Sequence, residues 1–161
     1  MAALYVCDVP PRPSSPRRRN LPHDVPNWVA PTSLFFVTVC ARPRGANVLC
    51  HGGLAERVAE SVAFRVEQRQ WDVPLLLLMP DHVHLLARFD PERGMPRVVS
   101  DWKRYLARHS GVRWQRDFFD HRIRSDEERN RKVAYVRENP VRAGLVERAE
   151  DWPFVWTFGT E

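Results

Sequence analysis

With 161 residues, the chain is long enough for one domain with its own core and leaves little room for a second. No apolar run approaches membrane-spanning length, the longest being Leu75 to Met79, and the N-terminus lacks the charged-then-apolar pattern of a secretory leader. The net charge is +5, and of the 25 basic residues only Lys103 and Lys132 are lysines. That skew suits a phosphate-binding surface, because the guanidinium fork matches phosphate oxygens, and it equally suits codon bias in a GC-rich genome. Cys7, Cys40 and Cys50 are odd in number and show no C-x-x-C spacing. They fit a reduced, cytoplasmic setting with structural or incidental thiols.

Residues 1–31 hold half of the 14 prolines together with Arg12, Arg17, Arg18 and Arg19. They show no sustained periodicity and read as an irregular basic arm ahead of a domain over residues 32–161. A solvated tail and an arm that orders on nucleic acid fit equally. Leu34 to Cys40 is β-branched and aromatic, which predicts a central strand. After a Gly/Pro/Asn-rich loop, Leu54, Val58, Val62 and Val66 recur every four residues and predict an amphipathic helix to about Gln70. Pro74 to Met79 predicts a second strand, joined through a turn at Pro80-Asp81 to a third that begins at His82. In that third strand His82, His84 and Leu86 share one face and Val83, Leu85 and Ala87 the other.

Pro96 suits a first helical position. Val98, Trp102, Tyr105 and Leu106 form the expected buried stripe of a second helix ending near Ser110-Gly111, with Lys103, Arg104 and Arg108 off the stripe and free to meet phosphates. A fourth strand is expected around His121 to Ile123. Ser125 with Glu128 has the spacing of a capping box and opens a third helix, which should end by Asn139 because Pro140 follows. Asp151 to Phe158 is an aromatic closing segment expected to pack on the core. The order β-α-β-β-α-β plus a helix predicts an α+β, ferredoxin-like split βαβ fold: a four-stranded antiparallel sheet, two helices on one face, and an extra C-terminal helix.

Two imidazoles side by side on one strand can share a divalent cation, although a hydrogen-bonded surface pair is the plainer reading. Tyr135 and Asn139 lie four apart on the third helix. If they meet the histidine face, the site has two imidazoles, an amide oxygen and a phenol. A hard cation there would polarise a phosphate oxygen, and the phenol could attack phosphorus. A hydrogen-bonded core tyrosine and an ordinary helix-end asparagine remain open alternatives.

The chain resembles the REP-associated tyrosine transposases, within the HUH single-tyrosine class. The matching residues are M-P-D-H-V-H-L-L at Met79 to Leu86, W-Q-R-D-F-F-D-H-R-I-R at Trp114 to Arg124, Y-V-R-E-N-P-V-R-A-G-L-V at Tyr135 to Val146 and D-W-P-F at Asp151 to Phe154. The resemblance implies that His82 and His84 are metal ligands for Mg²⁺ or Mn²⁺, Tyr135 is the nucleophile, and Asn139 is the third protein ligand. It places His121 beside the site and makes Tyr105 a poorer rival nucleophile. It further implies cleavage of single-stranded DNA beside REP-like hairpins, leaving a 5′-phosphotyrosine and a free 3′-hydroxyl. Arg17, Arg18, Arg19, Lys103, Arg104, Arg108, Arg113 and Arg116 would then contact the DNA backbone, and the protein would act as a monomer associated with the nucleoid, away from membranes. The competing reading is a non-catalytic, domesticated module that binds single-stranded DNA or RNA on the same fold. An RRM-like RNA binder would need aromatics where the third strand carries histidines. A hydrolytic zinc enzyme lacks an H-E-x-x-H motif.

Overall fold

A computed structural model of the protein describes Val25, Val29, Ala30 and residues 32–158. Apart from those first three residues the basic arm, including Arg17, Arg18 and Arg19, lies outside the described residues. The strands β1 (Leu34–Arg42), β2 (Trp71–Met79) and β3 (His82–Phe89) form the centre of an antiparallel sheet, with β3 between the other two. Helices α1 (Leu54–Glu67) and α2 (Met95–Ser110) come from the two crossovers. The fourth strand is split into β4 (Arg113–Trp114) and β5 (Phe119–Ile123), both paired with the free edge of β1. Helix α3 (Asp126–Arg137), the single turn α4 (Asn139–Arg142) and strand β6 (Val155–Trp156) complete the chain. The expected ferredoxin-like plan holds, with two differences: the last strand of the plan is in two pieces, and β6 adds itself to the outer edge of β2.

The first three strands are apolar on both faces because both are covered. Phe35, Val37, Val39, Val83, Leu85 and Ala87 face α1 and α2, forming one core cluster with Val58, Val62, Val98 and Trp102. Trp102 is fully buried, and its indole N–H donates to Ser61 Oγ at 2.9 Å, locking the two helices together. Phe36, Leu75, Leu77, Leu86, Ile123 and Val136 form a smaller cluster on the opposite face, under α3. β2 begins at Trp71, ahead of the expected Pro74. Its pairing with β3 shifts by one residue between Asp72 and Leu75. A proline cannot donate to the ladder, and the extra residue there lets the strand pass through it.

Two expectations for α2 need correction. Tyr105 is 37% exposed rather than part of the buried stripe; its ring stacks on His109, and the Arg65 guanidinium lies over it. Met95, Val98, Val99, Trp102 and Leu106 make the stripe instead. Lys103 is not free. Its ammonium donates to the carbonyls of Gln115 and Arg116, each at 2.7 Å, and so fastens the segment after β4 to α2.

At the start of α3 the Ser125 hydroxyl accepts from the Glu128 N–H, as the capping-box spacing predicts. The Glu128 carboxylate reaches one residue further back than the usual return contact, accepting from the Arg124 N–H at 2.8 Å and from His121 Nε2 at 2.6 Å. Three acidic residues in the first turn and Arg137 in the last complement the helix dipole. Only Val136 of α3 is fully buried.

Replacing Leu77, which is fully buried on the α3 face, by alanine removes packing from the centre of the sheet. A loss of about 2–5 kcal/mol is expected from the transfer and cavity terms. Ser125→Ala, which removes only the cap, should cost about 1 kcal/mol. Urea unfolding of the two variants checks the order; equal losses would contradict it.

Candidate active site

The site lies on the α3 face at the start of β3. The alternation of the strand points His82 and His84 to that side, and their register partners on β1 are Cys40 and Thr38. His84 is buried. Its Nδ1 is hydrogen-bonded to the Thr38 hydroxyl at 2.9 Å, and its ring stacks on Phe36 with centroids 5.2 Å apart. His82 Nδ1 donates to Asp81 Oδ1 at 2.7 Å. With both Nδ1 atoms occupied, the two Nε2 atoms converge to 3.2 Å.

Asp81, in the β2–β3 turn, is held from three directions. Its Oδ2 accepts from the Gly45 N–H at 2.7 Å, and Oδ1 faces both His82 and the Arg44 guanidinium, 3.2 Å away. Burial pushes this carboxyl up, but the hydrogen bonds from His82 and Gly45 and the charge of Arg44 outweigh it, leaving Asp81 below the usual carboxylate range. Ionised Asp81 holds a proton on His82 Nδ1 and turns Nε2 toward His84. Burial, helped by the nearby charges of His82, Lys132 and Arg44, pushes His84 down to about 3. A neutral imidazole is the protonation state a metal ligand needs, and burial gives His84 that state.

The geometry allows two proton arrangements. With the Thr38 hydroxyl donating to His84 Nδ1, His84 carries its proton on Nε2 and donates to His82 across the 3.2 Å gap. With the hydroxyl accepting, the proton sits on Nδ1 and the His84 Nε2 lone pair is left free. A hydroxyl can play either part. In the second arrangement the two imidazoles are donors of the type that could hold a divalent cation. No group of three or more His, Cys, Asp or Glu side chains placed for a metal occurs among the described residues, so a third donor from among them would be of another type. Asn139 is such a donor, but it is not the last residue of α3. It opens α4, and its amide nitrogen donates to the Tyr135 carbonyl at 3.0 Å and the Val136 carbonyl at 3.4 Å. Its amide oxygen is the atom left to offer.

Tyr135 projects from α3 over the same face. Its ring centroid lies 6.5 Å from that of His84 and meets Phe36 edge-on at 6.3 Å. At 40% exposure it is no core aromatic. Two cations flank the ring: Lys132 Nζ at 5.2 Å and the Arg142 guanidinium carbon at 5.2 Å from its centroid. Lys132 also sits 4.6 Å from the Phe36 ring. An anion bound at the phenol would meet positive charge on two sides. The sequence reading brought His82, His84, Tyr135 and Asn139 to one region. It missed Asp81, Thr38, Arg44, Lys132 and Arg142. A signal was available for Lys132, one of two lysines in the chain and three residues before Tyr135, but none for Thr38, which sits 46 residues from His84.

His121, on β5 opposite Phe36, spends Nε2 on Glu128 and ties α3 to the sheet. Of the expected phosphate contacts, Arg104 and Arg108 lie on α2, across the sheet from the site, and Arg104 pairs with Asp101 at 2.9 Å. Lys103 is committed to carbonyls, as described. Arg113 and Arg116 are exposed at the β4 edge.

The sequence profile described as "Transposase IS200 like" matches residues 36–139, a span that runs from Phe36 to Asn139 and contains every residue of the site except Arg142. The chain belongs to this transposase family. Within it, a REP-associated tyrosine transposase of Escherichia coli is 31% identical over 126 residues, 74% of this chain and 73% of that protein. A Haemophilus influenzae protein assigned to the same group is 31% identical over 140 residues, 75% of this chain and 77% of its own length. The solved structure of a REP-associated tyrosine transposase bound to a REP hairpin shares the fold, with a TM-score of 0.70, 21% identity and coverage of 82% of this chain and 81% of that one. The protein is thus a REP-associated transposase of the IS200-like family, a family of DNA-processing enzymes.

The protonation of His84 in this transposase has a measurable consequence. The folded imidazole takes a proton only near pH 3, whereas an unfolded one does so near 6.5. Between those values the unfolded state holds more protons, so this contribution is complete above about pH 6.5 and is lost as the pH falls toward 3. Urea midpoints measured from about pH 7 down to 4 should fall more steeply in the wild type than in His84→Gln; parallel pH profiles would refute the assignment.

Proposed function

We propose that this transposase nicks and rejoins single-stranded DNA beside hairpin sequences, with Tyr135 as the nucleophile. The observation that supports it most is the convergence of His82 Nε2 and His84 Nε2 at 3.2 Å, with the Tyr135 ring 6.5 Å from that of His84. The solved relative is bound to a REP hairpin, and we take the substrate of this chain to be a hairpin of the same kind.

The Tyr135 oxygen forms a bond to phosphorus while the bond from phosphorus to the 3′ oxygen breaks. The phenol loses its proton and the departing 3′ oxygen gains one. The 5′ phosphate stays on Tyr135, one phosphoester is made for one broken, and no triphosphate is consumed. Attack by a 3′-hydroxyl runs the step backwards and joins strands. Lys132 and Arg142 hold the phosphate against the phenol and balance its charge. Phe36, stacked on His84 and edge-on to Tyr135, sets the distance between imidazole and phenol. Asp81 and Thr38 orient the two imidazoles. A divalent cation, Mg²⁺ or Mn²⁺, held by His82, His84 and the Asn139 amide oxygen would supply Lewis acidity at a non-bridging phosphate oxygen. We take the enzyme to act as a monomer on nucleoid DNA.

Wild type, Tyr135→Phe and Tyr105→Phe incubated with hairpin DNA from sequence flanking the gene, with Mn²⁺ or with EDTA, test this. An SDS-stable protein–DNA adduct is expected in the wild type and in Tyr105→Phe, none in Tyr135→Phe, and none with EDTA. An adduct lost only in Tyr105→Phe would move the nucleophile to α2. Binding without any adduct would favour the non-catalytic reading. Asp81→Asn should weaken Mn²⁺ binding, measured by calorimetry, about 10–100-fold.

A further inference from the structure

We propose that the cleft between the end of β1 and β4 seats a phosphate of the DNA strand next to the active site, held by Arg42, Arg44 and Arg113. The inference rests on the strand-transfer reading above and adds where the strand runs. The cleft has a volume of about 640 Å³ and is lined by Arg42, Pro43, Arg44, Arg113, Trp114 and Gln115. Half of its lining is arginine and none of it is acidic.

Arg42 and Arg113 are direct partners in the antiparallel β1–β4 pair. Like charges directly opposite each other on adjacent strands repel. No carboxylate pairs with either one among the described residues. Two exposed guanidinium groups placed this way gain from an anion between them, and a phosphodiester presents two oxygens to do it. Arg44 connects this cleft to the site. One of its nitrogens donates to the Asp81 carbonyl at 3.1 Å and lies 3.2 Å from Asp81 Oδ1, the atom that holds His82. A phosphate held by Arg44 is therefore connected to the imidazole pair through two residues, Arg44 and Asp81.

The walls are built before any ligand arrives. Gln115 N–H donates to the Cys40 carbonyl at 2.8 Å, Lys103 clamps the Gln115 and Arg116 carbonyls, and Gly45 N–H is bonded to Asp81. Trp114 is no stacking platform, because its ring packs against Trp102 with centroids 5.7 Å apart. The cleft thus offers charge without a base-reading surface, and it holds backbone whatever the sequence.

The test measures binding of a single-stranded oligothymidylate and of hairpin DNA across a salt series, using the full chain. Arg42→Gln/Arg113→Gln should bind the oligothymidylate about tenfold more weakly, with the slope of log K against log salt shallower by about 0.7 per arginine removed. Arg93→Gln/Arg97→Gln removes the same charge from the α2 side of the sheet and should leave both quantities unchanged. The melting temperature of the free Arg42→Gln/Arg113→Gln protein should hold or rise by about 1–3 °C, since a repulsion is gone. If that double variant melts lower, Arg113→Gln alone should still show about half the slope change. Unchanged affinity and slope in the cleft variants, or equal weakening in both double variants, overturns the proposal. A wild type that binds neither DNA overturns the strand-transfer reading and the phosphate seat together. A wild type that binds oligothymidylate through these arginines but forms no tyrosine adduct overturns only the tyrosine chemistry and leaves the phosphate seat standing.

Discussion

Everything at the site depends on two imidazoles being held ring to ring at 3.2 Å between their Nε2 atoms. Such a contact is repulsive if both rings are charged, and unfavourable if both bare lone pairs face each other with nothing between them. It is stable only with a single proton, or a cation, in the gap. The protein enforces it by placing both histidines on an interior strand and occupying each outer nitrogen, one with a carboxylate and one with a hydroxyl. The carboxylate is rigid because it is itself gripped by a backbone N–H and a guanidinium. The hydroxyl is adaptable because its proton can turn. A fixed partner on one ring and a reversible one on the other let the pair shift its proton without repacking.

The two faces of the sheet divide the work. The α1–α2 face carries the larger core, the buried tryptophan and the helix-to-helix hydrogen bond. The α3 face carries a smaller cluster, and its polar groups converge instead of being spread. A strand buried on both sides costs the site any loose motion of His84. What it gains is a histidine that stays neutral over the physiological range, since burial is the largest cause of its depressed affinity for protons.

The strand and helix order was legible in the sequence because period-two and period-four patterns survive burial on either face. His82 and His84 were legible as a pair for the same reason: two residues apart on a strand means one face. The split of the last strand was not legible, because in the break between Trp114 and Phe119 the carbonyls of Gln115 and Arg116 are taken by Lys103, a residue of α2 distant in sequence. Tyr105 looked buried because its spacing from Trp102 matches the stripe, yet it falls at the stripe's margin, where Arg65 and His109 cover it instead of the sheet. The partners of the imidazoles were invisible for a different reason. Thr38 is brought to His84 by strand register alone, and nothing local in L-F-F-V-T-V-C marks its hydroxyl out. Asp81 reads as a turn residue, and it is one; its second task appears only once Gly45 and Arg44 fold over it.

The elements that carry the imidazole pair and Tyr135 differ in how firmly they are fixed. β3 is hydrogen-bonded along both edges and covered on both faces, so His82 and His84 are freed only when the whole domain opens. α3 rests on one fully buried side chain, the partly buried Val133, the contacts of Lys132 and Tyr135 with Phe36, a serine cap and the Glu128 contacts. Warming or mild denaturant should therefore detach the tyrosine helix first and leave the imidazole pair in place. Inactivation and unfolding would then be separate events in this protein, and a loss of activity on storage would not by itself mean that the fold has been lost.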